Sequence, residues 1–225
     1  MLIGHFYNLM KCSQCKLVNF RDALACVRCE AELSGSIRAD TAEMSFGKRL
    51  LCRGFIVGGV CLAIIFGFYI SLIASADRLN AQQKEVVARS IKILEQKQFR
   101  SEALLLSRLT AYRSTDHWLN AAVAKENAYA ATNFPFAIMT LYTDFFTYPV
   151  DDVEKAAILL HEARHLRGEG EKEAYEYVWK NRAKLGWTED RYGSSDVWRN
   201  IRYQTREHVP ELFVCPENEF NDCTR

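Results

Sequence analysis

Three residues whose types and spacing suit hydrolytic chemistry lie together at His161, Glu162 and His165. In a helix the two histidines lie one turn apart on one face, so both imidazoles can reach one Zn²⁺ at ~2.0–2.1 Å. Glu162 is turned ~100° from His161 and can hold a water molecule on that metal. Zinc lowers the pKa of such a water towards ~7, and the glutamate passes its proton to the leaving amine. The pattern therefore predicts zinc-dependent hydrolysis with Glu162 as the general base.

The residues after His165 indicate a third zinc ligand. Gly168 allows the helix to end in a left-handed cap, so that the chain turns back and can present Glu171 to the metal. Glu171 is the favoured ligand. Glu173 and Glu169 compete with it, because a second helix beginning at 171 points each of them in a different direction.

The spacing from His161 to Glu171 resembles that of metzincin peptidases, with Glu171 where they usually carry a histidine ligand. Residues 171–174 also resemble the ExxA sequence that carries the third glutamate ligand of gluzincins. No methionine follows residue 139, so the Met-turn of metzincins is absent. The chain is therefore most similar to a small gluzincin-like zincin over about residues 128–187. This resemblance implies a zinc metallopeptidase whose ligand set is completed by Glu171.

A second metal-binding pattern lies near the N-terminus, at Cys12, Cys15, Cys26 and Cys29. Two CxxC pairs supply four thiolates that close tetrahedrally around Zn²⁺ at ~2.3 Å. A segment this short cannot bury a core of its own, so the metal must supply most of its folding free energy. The pattern predicts a structural zinc ribbon over residues 10–32.

The position of Asn19 after the second cysteine resembles that in nucleoporin-type zinc fingers of Ran-binding protein, and the resemblance covers residues 10–32. Met10 stands where that family carries a tryptophan. Members of the family bind single-stranded RNA or ubiquitin, so the resemblance implies a ligand of one of these kinds. Phe20 and nearby arginines offer a stacking face for RNA, but such residues are more often simply finger surface. We favour protein contacts over nucleic acid.

The composition of the whole chain excludes several classes of protein. The chain has 225 residues, 49% apolar and 25% charged, with a formal net charge of +1. These values exclude a disordered or collagen-like chain, and the near-neutral charge gives no indication of nucleic-acid binding. The length allows one or two domains.

An apolar run without charged residues covers residues 55–76. At ~1.5 Å per residue it makes a helix of about 33 Å, which matches a hydrocarbon core of ~30 Å. A cleaved signal peptide would lie at the extreme N-terminus with a shorter apolar core, so the run predicts an uncleaved signal-anchor in the lipid bilayer. A buried core helix is the alternative. Residues 33–54, which are rich in small and polar residues, are predicted to link the ribbon to this span.

The charges beside the span predict its orientation. A thiolate metal site suits a reducing compartment, and cytoplasmic flanks carry more basic residues, so we predict residues 1–54 in the cytoplasm and 77–225 outside. In an oxidising compartment Cys215 and Cys223 can form a disulfide. The basic residues closest to the span are Lys48, Arg49 and Arg53 on the N-terminal side and Arg78 on the other.

The remaining sequence predicts an α+β protein with a mainly helical outer part and a small sheet. Apolar residues at helical spacing predict a helical hairpin over 77–115, followed by the metallopeptidase domain over 116–225. β-Branched and aromatic residues predict a strand at 136–142. The zincin resemblance places this strand beside the catalytic helix, where it can pair with an extended substrate. The capping-box spacing from Asp151 to Glu154 predicts the start of that helix.

Several aromatic residues and one histidine follow the metal motif. Tyr192, Tyr203 and His208 are available to stabilise an oxyanion, and no spacing selects among them. The tryptophans at 179, 187 and 198 are predicted to lie in the core.

We therefore predict a single-pass, membrane-anchored zinc metallopeptidase with one catalytic and one structural zinc, which hydrolyses a peptide or protein substrate. The alternative is an interaction protein, in which the ribbon binds a cytoplasmic protein or RNA and the zincin-like domain is not catalytic. A third hypothesis is an RNA-binding anchor, which requires salt-dependent affinity of residues 1–54 for single strands.

Overall fold

A computed structural model describes residues 9–20, 23–33, 46–121 and 128–214. The chain divides into two compact units, Met1–Gly59 and Val60–Arg225. Helices dominate the described residues and two small sheets accompany them, so the predicted α+β class is confirmed. The predicted disulfide partners Cys215 and Cys223 lie outside the described residues.

The N-terminal unit contains the predicted ribbon. Strand β1 (Leu9–Lys11) pairs antiparallel with β2 (Val18–Phe20). A further antiparallel bridge joins Ala25 to Glu32. The buried apolar residues of this unit are Cys12, Cys26 and Leu33. Such a small core leaves the fold dependent on whatever joins the cysteines.

Helix α1 (Phe46–Ala74) contains the predicted membrane span. Its segment Leu50–Ala74 is long and apolar enough to cross a bilayer. The helix begins at Phe46, so the predicted linker, residues 33–54, is helical over its last part. The reason is local, because this part is made mainly of leucine, lysine and arginine, which favour helix.

The helices that follow belong to the core of the second unit. Helix α2 (Ala81–Gln96) begins at a capping box made by Asn80 and Gln83. Helix α3 (Arg100–Leu104) continues as a π-helical turn, Leu105–Leu109. Residues 111–113 of the predicted hairpin, 77–115, form a strand instead of helix because they pair with a neighbouring strand.

The sheet of the second unit has the order β3-β5-β4 among the described residues. Its strands are β3 (Ala111–Arg113), β4 (Ala130–Asn133) and β5 (Ile138–Leu141). Strand β5 runs parallel to β3 and antiparallel to β4. The predicted strand at 136–142 is therefore present as β5, but it is central and buried, and β3 and β4 are the two edge strands of the described sheet.

Five further helices lie among the described residues of the second unit: α4 (Thr143–Thr147), α5 (Asp152–His165), α6 (Glu171–Leu185), α7 (Glu189–Tyr192) and α8 (Asp196–His208). A 3₁₀ turn, Pro210–Leu212, follows. The predicted core tryptophans are at most 2% exposed, and their ring centroids lie 4.6–6.1 Å apart: Trp179, Trp187 and Trp198. Helices α6 and α8 and the 186–188 turn thus meet in an aromatic core beside α5.

The start of α5 differs in one respect from a capping box. Asp151 is the N-cap, as predicted, and accepts from the backbone N–H groups of Val153 and Glu154. In a capping box the Glu154 side chain would accept a hydrogen bond from the backbone N–H of Asp151, but the fully buried Glu154 carboxylate does not. It accepts instead from the Val150 N–H at 2.9 Å and from the side chains of Trp187 and Ser195. The glutamate therefore ties α5 to the following helices as well as capping it.

Candidate metal centres

Four sulfur atoms converge in the ribbon. The Sγ atoms of Cys12, Cys15, Cys26 and Cys29 all lie within 4.8 Å of one another. Cys15 is 3.4 Å from Cys26, and Cys12 is 3.7 Å from Cys29. Tetrahedral thiolates at ~2.3 Å from a zinc ion are about 3.8 Å apart, so the cluster has suitable dimensions. The structure brings together all four predicted cysteines, and the cluster could hold a metal ion.

The backbone builds the two cysteine pairs in the same way. The Lys16 N–H donates to the Cys12 carbonyl at 3.1 Å, and the Glu30 N–H donates to the Cys26 carbonyl at 2.9 Å. Lys16 and Glu30 each follow a CxxC pair and have φ of 60° and 55°. These left-handed residues reverse the chain after each pair, which turns both cysteines of a pair to the same side.

Asn19 joins the two pairs from within the ribbon. It is 4% exposed, and its Nδ2 donates to the Leu17 carbonyl at 3.0 Å and contacts Cys26 Sγ at 3.6 Å. Its Oδ1 accepts from the Val27 N–H at 3.2 Å. The backbone N–H of Arg28 lowers the pKa of Cys26 to about 6, which favours the thiolate that a metal requires. In the sequence Asn19 indicated only a family resemblance, and the fold reveals its contact with sulfur.

A second cluster brings together His161, His165 and Glu171. The two Nε2 atoms are 3.0 Å apart, and the Glu171 carboxylate oxygens lie 3.2 Å from His161 Nε2 and 3.4 Å from His165 Nε2. Ligand atoms at ~2.0–2.2 Å from a tetrahedral zinc are about 3.4 Å apart, so this cluster also has suitable dimensions. The Glu171 side chain is 53% exposed, so the cluster opens to solvent, as a catalytic zinc site must.

The turn between α5 and α6 places Glu171 beside the histidines. Gly168 has φ +80°, and its N–H donates to the His165 carbonyl at 2.9 Å. The predicted left-handed turn is thus confirmed. Helix α6 begins at Glu171, so the first residue of one helix faces the last turn of the other.

Hydrogen bonds from outside the cluster hold this turn. His165 Nδ1 donates to the Glu169 carbonyl at 2.9 Å, which leaves Nε2 free to bind a metal. Arg164 Nε donates to the Glu169 carboxylate at 2.6 Å, and Arg164 also reaches the buried Glu102 at 3.4 Å. Helix α3 thereby braces the turn through Arg164 and Glu169.

The competing carboxylates have other positions. Glu169 is paired with Arg164. Glu173 Oε2 folds towards Gly170, 3.0 Å from where a Cβ of that residue would lie. Of the three glutamates weighed from the sequence, the structure brings only Glu171 to both histidines.

The groups around His165 favour its protonated form. Burial lowers the pKa of His165, but the hydrogen bond to Glu171 and the charge of Glu162 outweigh it and raise the pKa to about 9. Hydrogen bonds from His161 and His165 hold the pKa of Glu171 well below its usual range. Metal binding must therefore displace a proton from the histidine pair.

Glu162 lies at the meeting point of α5 and the edge strand β4. It is 6% exposed, and its Oε2 accepts a hydrogen bond from Thr132 Oγ1 at 2.6 Å. Nothing in the spacing of the sequence indicated Thr132, because the contact joins residues far apart in the chain. The carboxylate of the predicted base is thus held from β4.

Two cavities meet at the histidine cluster and share Ala130, Glu162 and Glu171. One, of about 300 Å³, extends towards Tyr175 and His208. The other, of about 350 Å³, is lined by Thr132, Phe134, His165, Gly168 and other residues of β4 and the turn. The site therefore has space on both sides.

The three residues weighed as oxyanion stabilisers are separated by the fold. Tyr192 is buried and donates to Asp151 at 2.8 Å, and Tyr203 is exposed. His208 lines the first cavity and stacks on Tyr175, with ring centroids 5.1 Å apart. The Tyr175 ring in turn lies 4.4 Å from that of His161. Tyr175 was missed from the sequence, although its spacing of one helical turn from Glu171 was a usable signal.

Comparisons of the chain with protein-family models, with curated proteins and with solved structures each find no match. The functional argument therefore depends on the arrangement of the two clusters themselves.

Proposed function

We propose that the chain is a membrane-anchored zinc metallopeptidase. The observation that carries this proposal is the convergence of His161, His165 and Glu171 beside the buried carboxylate of Glu162. When bound there, zinc lowers the pKa of a water ligand and polarises the scissile carbonyl. The resemblance to gluzincin-like zincins supports the same activity.

Each residue of the site has a separate role in this proposal. The two histidines and Glu171 hold the metal. Glu162 takes the proton of the attacking water and delivers it to the leaving amine. Thr132 fixes one oxygen of Glu162, which leaves the second carboxylate oxygen as the proton acceptor. His208, through its position in the first cavity, is the favoured stabiliser of the oxyanion.

The edge strand β4 is the proposed binding site for the substrate backbone. Its position at the edge of the described sheet leaves main-chain groups available for an added strand. The cavities on either side of Glu162 then accept side chains from both sides of the scissile bond. This replaces the assignment of substrate pairing to residues 136–142, because β5 already has two neighbours.

A zinc and activity measurement on the purified full chain tests the proposal. We expect wild type and Glu162→Gln to carry equal zinc at the histidine site, and only wild type to cleave a casein or a mixed peptide library. Glu176→Gln is the matched control, since the Glu176 carboxylate pairs with Lys180 one turn further along α6 and belongs neither to the histidine cluster nor to the two cavities. Activity retained by Glu162→Gln, or a folded protein without zinc at this site, would contradict the proposal.

The anchoring part of the proposal assigns α1 as a single span with residues 1–54 in the cytoplasm. The length and hydropathy of Leu50–Ala74 support a span, and the basic residues before it support the direction. Protease added to intact cells is expected to degrade the second unit and spare the ribbon. The reverse pattern would overturn the orientation alone.

A second function is favoured by the surface of the ribbon, for which we infer a structural zinc and a protein partner. Its exposed apolar residues are Val18, Phe20, Leu24 and Val27, which are 50–87% exposed. So many exposed apolar groups in a small module indicate a protein contact. Phe20→Ser with Val27→Ser should keep the ribbon zinc and abolish partner binding. Salt-dependent affinity for single-stranded RNA would favour the nucleic-acid alternative instead.

A further inference from the structure

The end of α1 is attached to the second unit without a linker. From Leu50 to Gly67 the helix is exposed, whereas Phe68 and Tyr69 are half-buried and Leu72 is fully buried. The Phe68 ring contacts Trp118 at 5.5 Å and Phe136 at 5.3 Å between centroids. These rings come from the loop after β3 and from the turn between β4 and β5.

Polar contacts fix the same junction. Trp118 Nε1 donates to Ser71 Oγ at 3.3 Å, and Arg113 Nε donates to the Ile73 carbonyl at 3.2 Å. The Asp77 N–H donates to Thr115 Oγ1 at 2.8 Å. The last turns of the helix are thus bound to side chains from the sheet and its loops.

The length of the span sets the depth of this junction. A hydrocarbon core takes about 20 helical residues. If it begins between Leu50, where the span starts, and Gly54, which follows the last basic residue, it ends between about residues 69 and 73. Phe68 therefore lies at or inside the edge of the hydrocarbon. Trp118 and Phe136, which contact Phe68, must lie in the boundary layer of the membrane.

Exposed apolar side chains lie within a few residues of this junction along the chain. We call Leu109, Trp118, Leu119 and Phe134 the apolar rim; they are 40–63% exposed. Leu109 lies two residues before Ala111, whose N–H donates to the Ala137 carbonyl at 2.8 Å. Tryptophan and other apolar groups with this exposure are favoured at a membrane interface and costly in water.

The rim is also part of the wall of the histidine site. Phe134 lines the second cavity, and its ring lies 3.3 Å from where a Cβ of Gly168 would be. Phe136, two residues further, contacts the span. Since two residues span at most about 7 Å, one short turn connects helix α1 with the turn that carries Gly168.

We propose that the apolar rim lies in the interfacial layer of the bilayer spanned by α1, and that the site acts on polypeptide segments close to the same membrane surface. The assignment of the substrate class rests on the proposed peptidase function. Its substrate class is the juxtamembrane segment of a membrane-attached protein, since such a segment can reach β4 without leaving the interface.

Tryptophan fluorescence of the full chain tests the position of the rim. The chain has four tryptophans, of which Trp118 is 50% exposed and the other three at most 2%. In phosphatidylcholine vesicles, bromine atoms near the headgroup end of the acyl chains should quench one component of the emission more than bromines near the chain ends. Trp118→Phe, which keeps an aromatic ring against Phe68, should remove that component. Equal Trp118 emission in brominated and plain lipid would overturn the proposal.

Peptide substrates held at two distances from the membrane test the substrate class in the same vesicles. A quenched-fluorescence peptide library is coupled to a palmitoyl chain through Gly-Ser spacers of about five or about twenty residues. We expect the two libraries to be cleaved at rates within about twofold of each other. A five-residue spacer extends up to about 17 Å from the anchor, which is enough to reach a site at the interface. Cleavage of only the long-spacer library would overturn the substrate class. No cleavage of either library would instead refute the peptidase function, and fluorescence quenching would still decide the position of the rim.

Discussion

At the scale of single residues, the arrangement of the histidine cluster depends on groups outside the cluster itself. Arg164 lies between the two histidines in sequence, and its guanidinium bonds Glu169 and Glu102 and lies 4.0 Å from the centroid of the Tyr177 ring. This places a charge behind the turn that carries Glu171. Partners of this kind fix the orientation of ligands and influence metal affinity.

The first prediction concerns Arg164→Met. Loss of the bond to Glu169 frees the turn, so we expect zinc affinity at the histidine site to fall about 10-fold or more, as for other outer partners of metal ligands. Competition with a fluorescent chelator measures this. Arg167→Met is the matched control, because Arg167 contacts Glu102 at 3.6 Å and has no contact with Glu169 among its ion pairs. Equal zinc affinities for the two variants would show that the pairing of Arg164 with Glu169 does not affect metal binding.

At the scale of elements, the site depends on how one helix ends and the next begins. Helix α5 stops at His165, five residues that include the left-handed Gly168 reverse the chain, and α6 starts at Glu171. The local signal in the sequence was sufficient for this part. The edge strand could not be predicted from such a local signal, because β4 lies at the edge only through the pairing of β5 with the distant β3.

The second prediction compares Gly168→Ala with Gly186→Ala. Both glycines end a helix with φ near +80°, so each alanine should cost about 1 kcal/mol of unfolding free energy. At 168 the new Cβ also meets the Phe134 ring at 3.3 Å, whereas at 186 it meets the flexible Lys97 side chain at 3.4 Å. Only Gly168→Ala should weaken zinc binding. Thermal unfolding and chelator competition separate the two effects, and weakened zinc binding in both variants would count against a local role of the turn.

At the scale of the whole molecule, the described residues contain two clusters that could hold a metal ion, one in each compact unit. Among those residues the ribbon has three buried apolar side chains and should need a metal at its cysteines to fold, whereas the second unit has a large core of its own. The clusters should therefore fill and empty independently.

The third prediction is a zinc stoichiometry of two per chain, which falls to one in either of two variants. Cys26→Ser should empty the ribbon and expose it to protease, and His161→Ala with His165→Ala should empty the second site with the ribbon intact. Elemental analysis with limited proteolysis measures both. Loss of both zinc ions on Cys26→Ser alone would show that the two units do not fold independently.

The sequence by itself determined the features that depend on residue spacing within one helical turn or within one apolar run. The histidines one turn apart, the glycine turn before Glu171, the cysteine pairs and the apolar run all follow from backbone geometry over a few residues. Their positions in the structure agree, including the choice of Glu171 over Glu169 and Glu173 as the glutamate nearest both histidines.

Only the tertiary structure decided the contacts between distant parts of the chain. The bond from Thr132 to Glu162, the brace from Glu102 to Arg164 and the junction of Phe68 with Phe136 each join residues at least thirty positions apart. Such pairs are selected by the packing of whole helices and strands, and no local preference of the chain encodes them. For this reason the residues that could hold a metal ion were predictable, whereas the residues that hold those side chains in place, and those that join α1 to the sheet, were not.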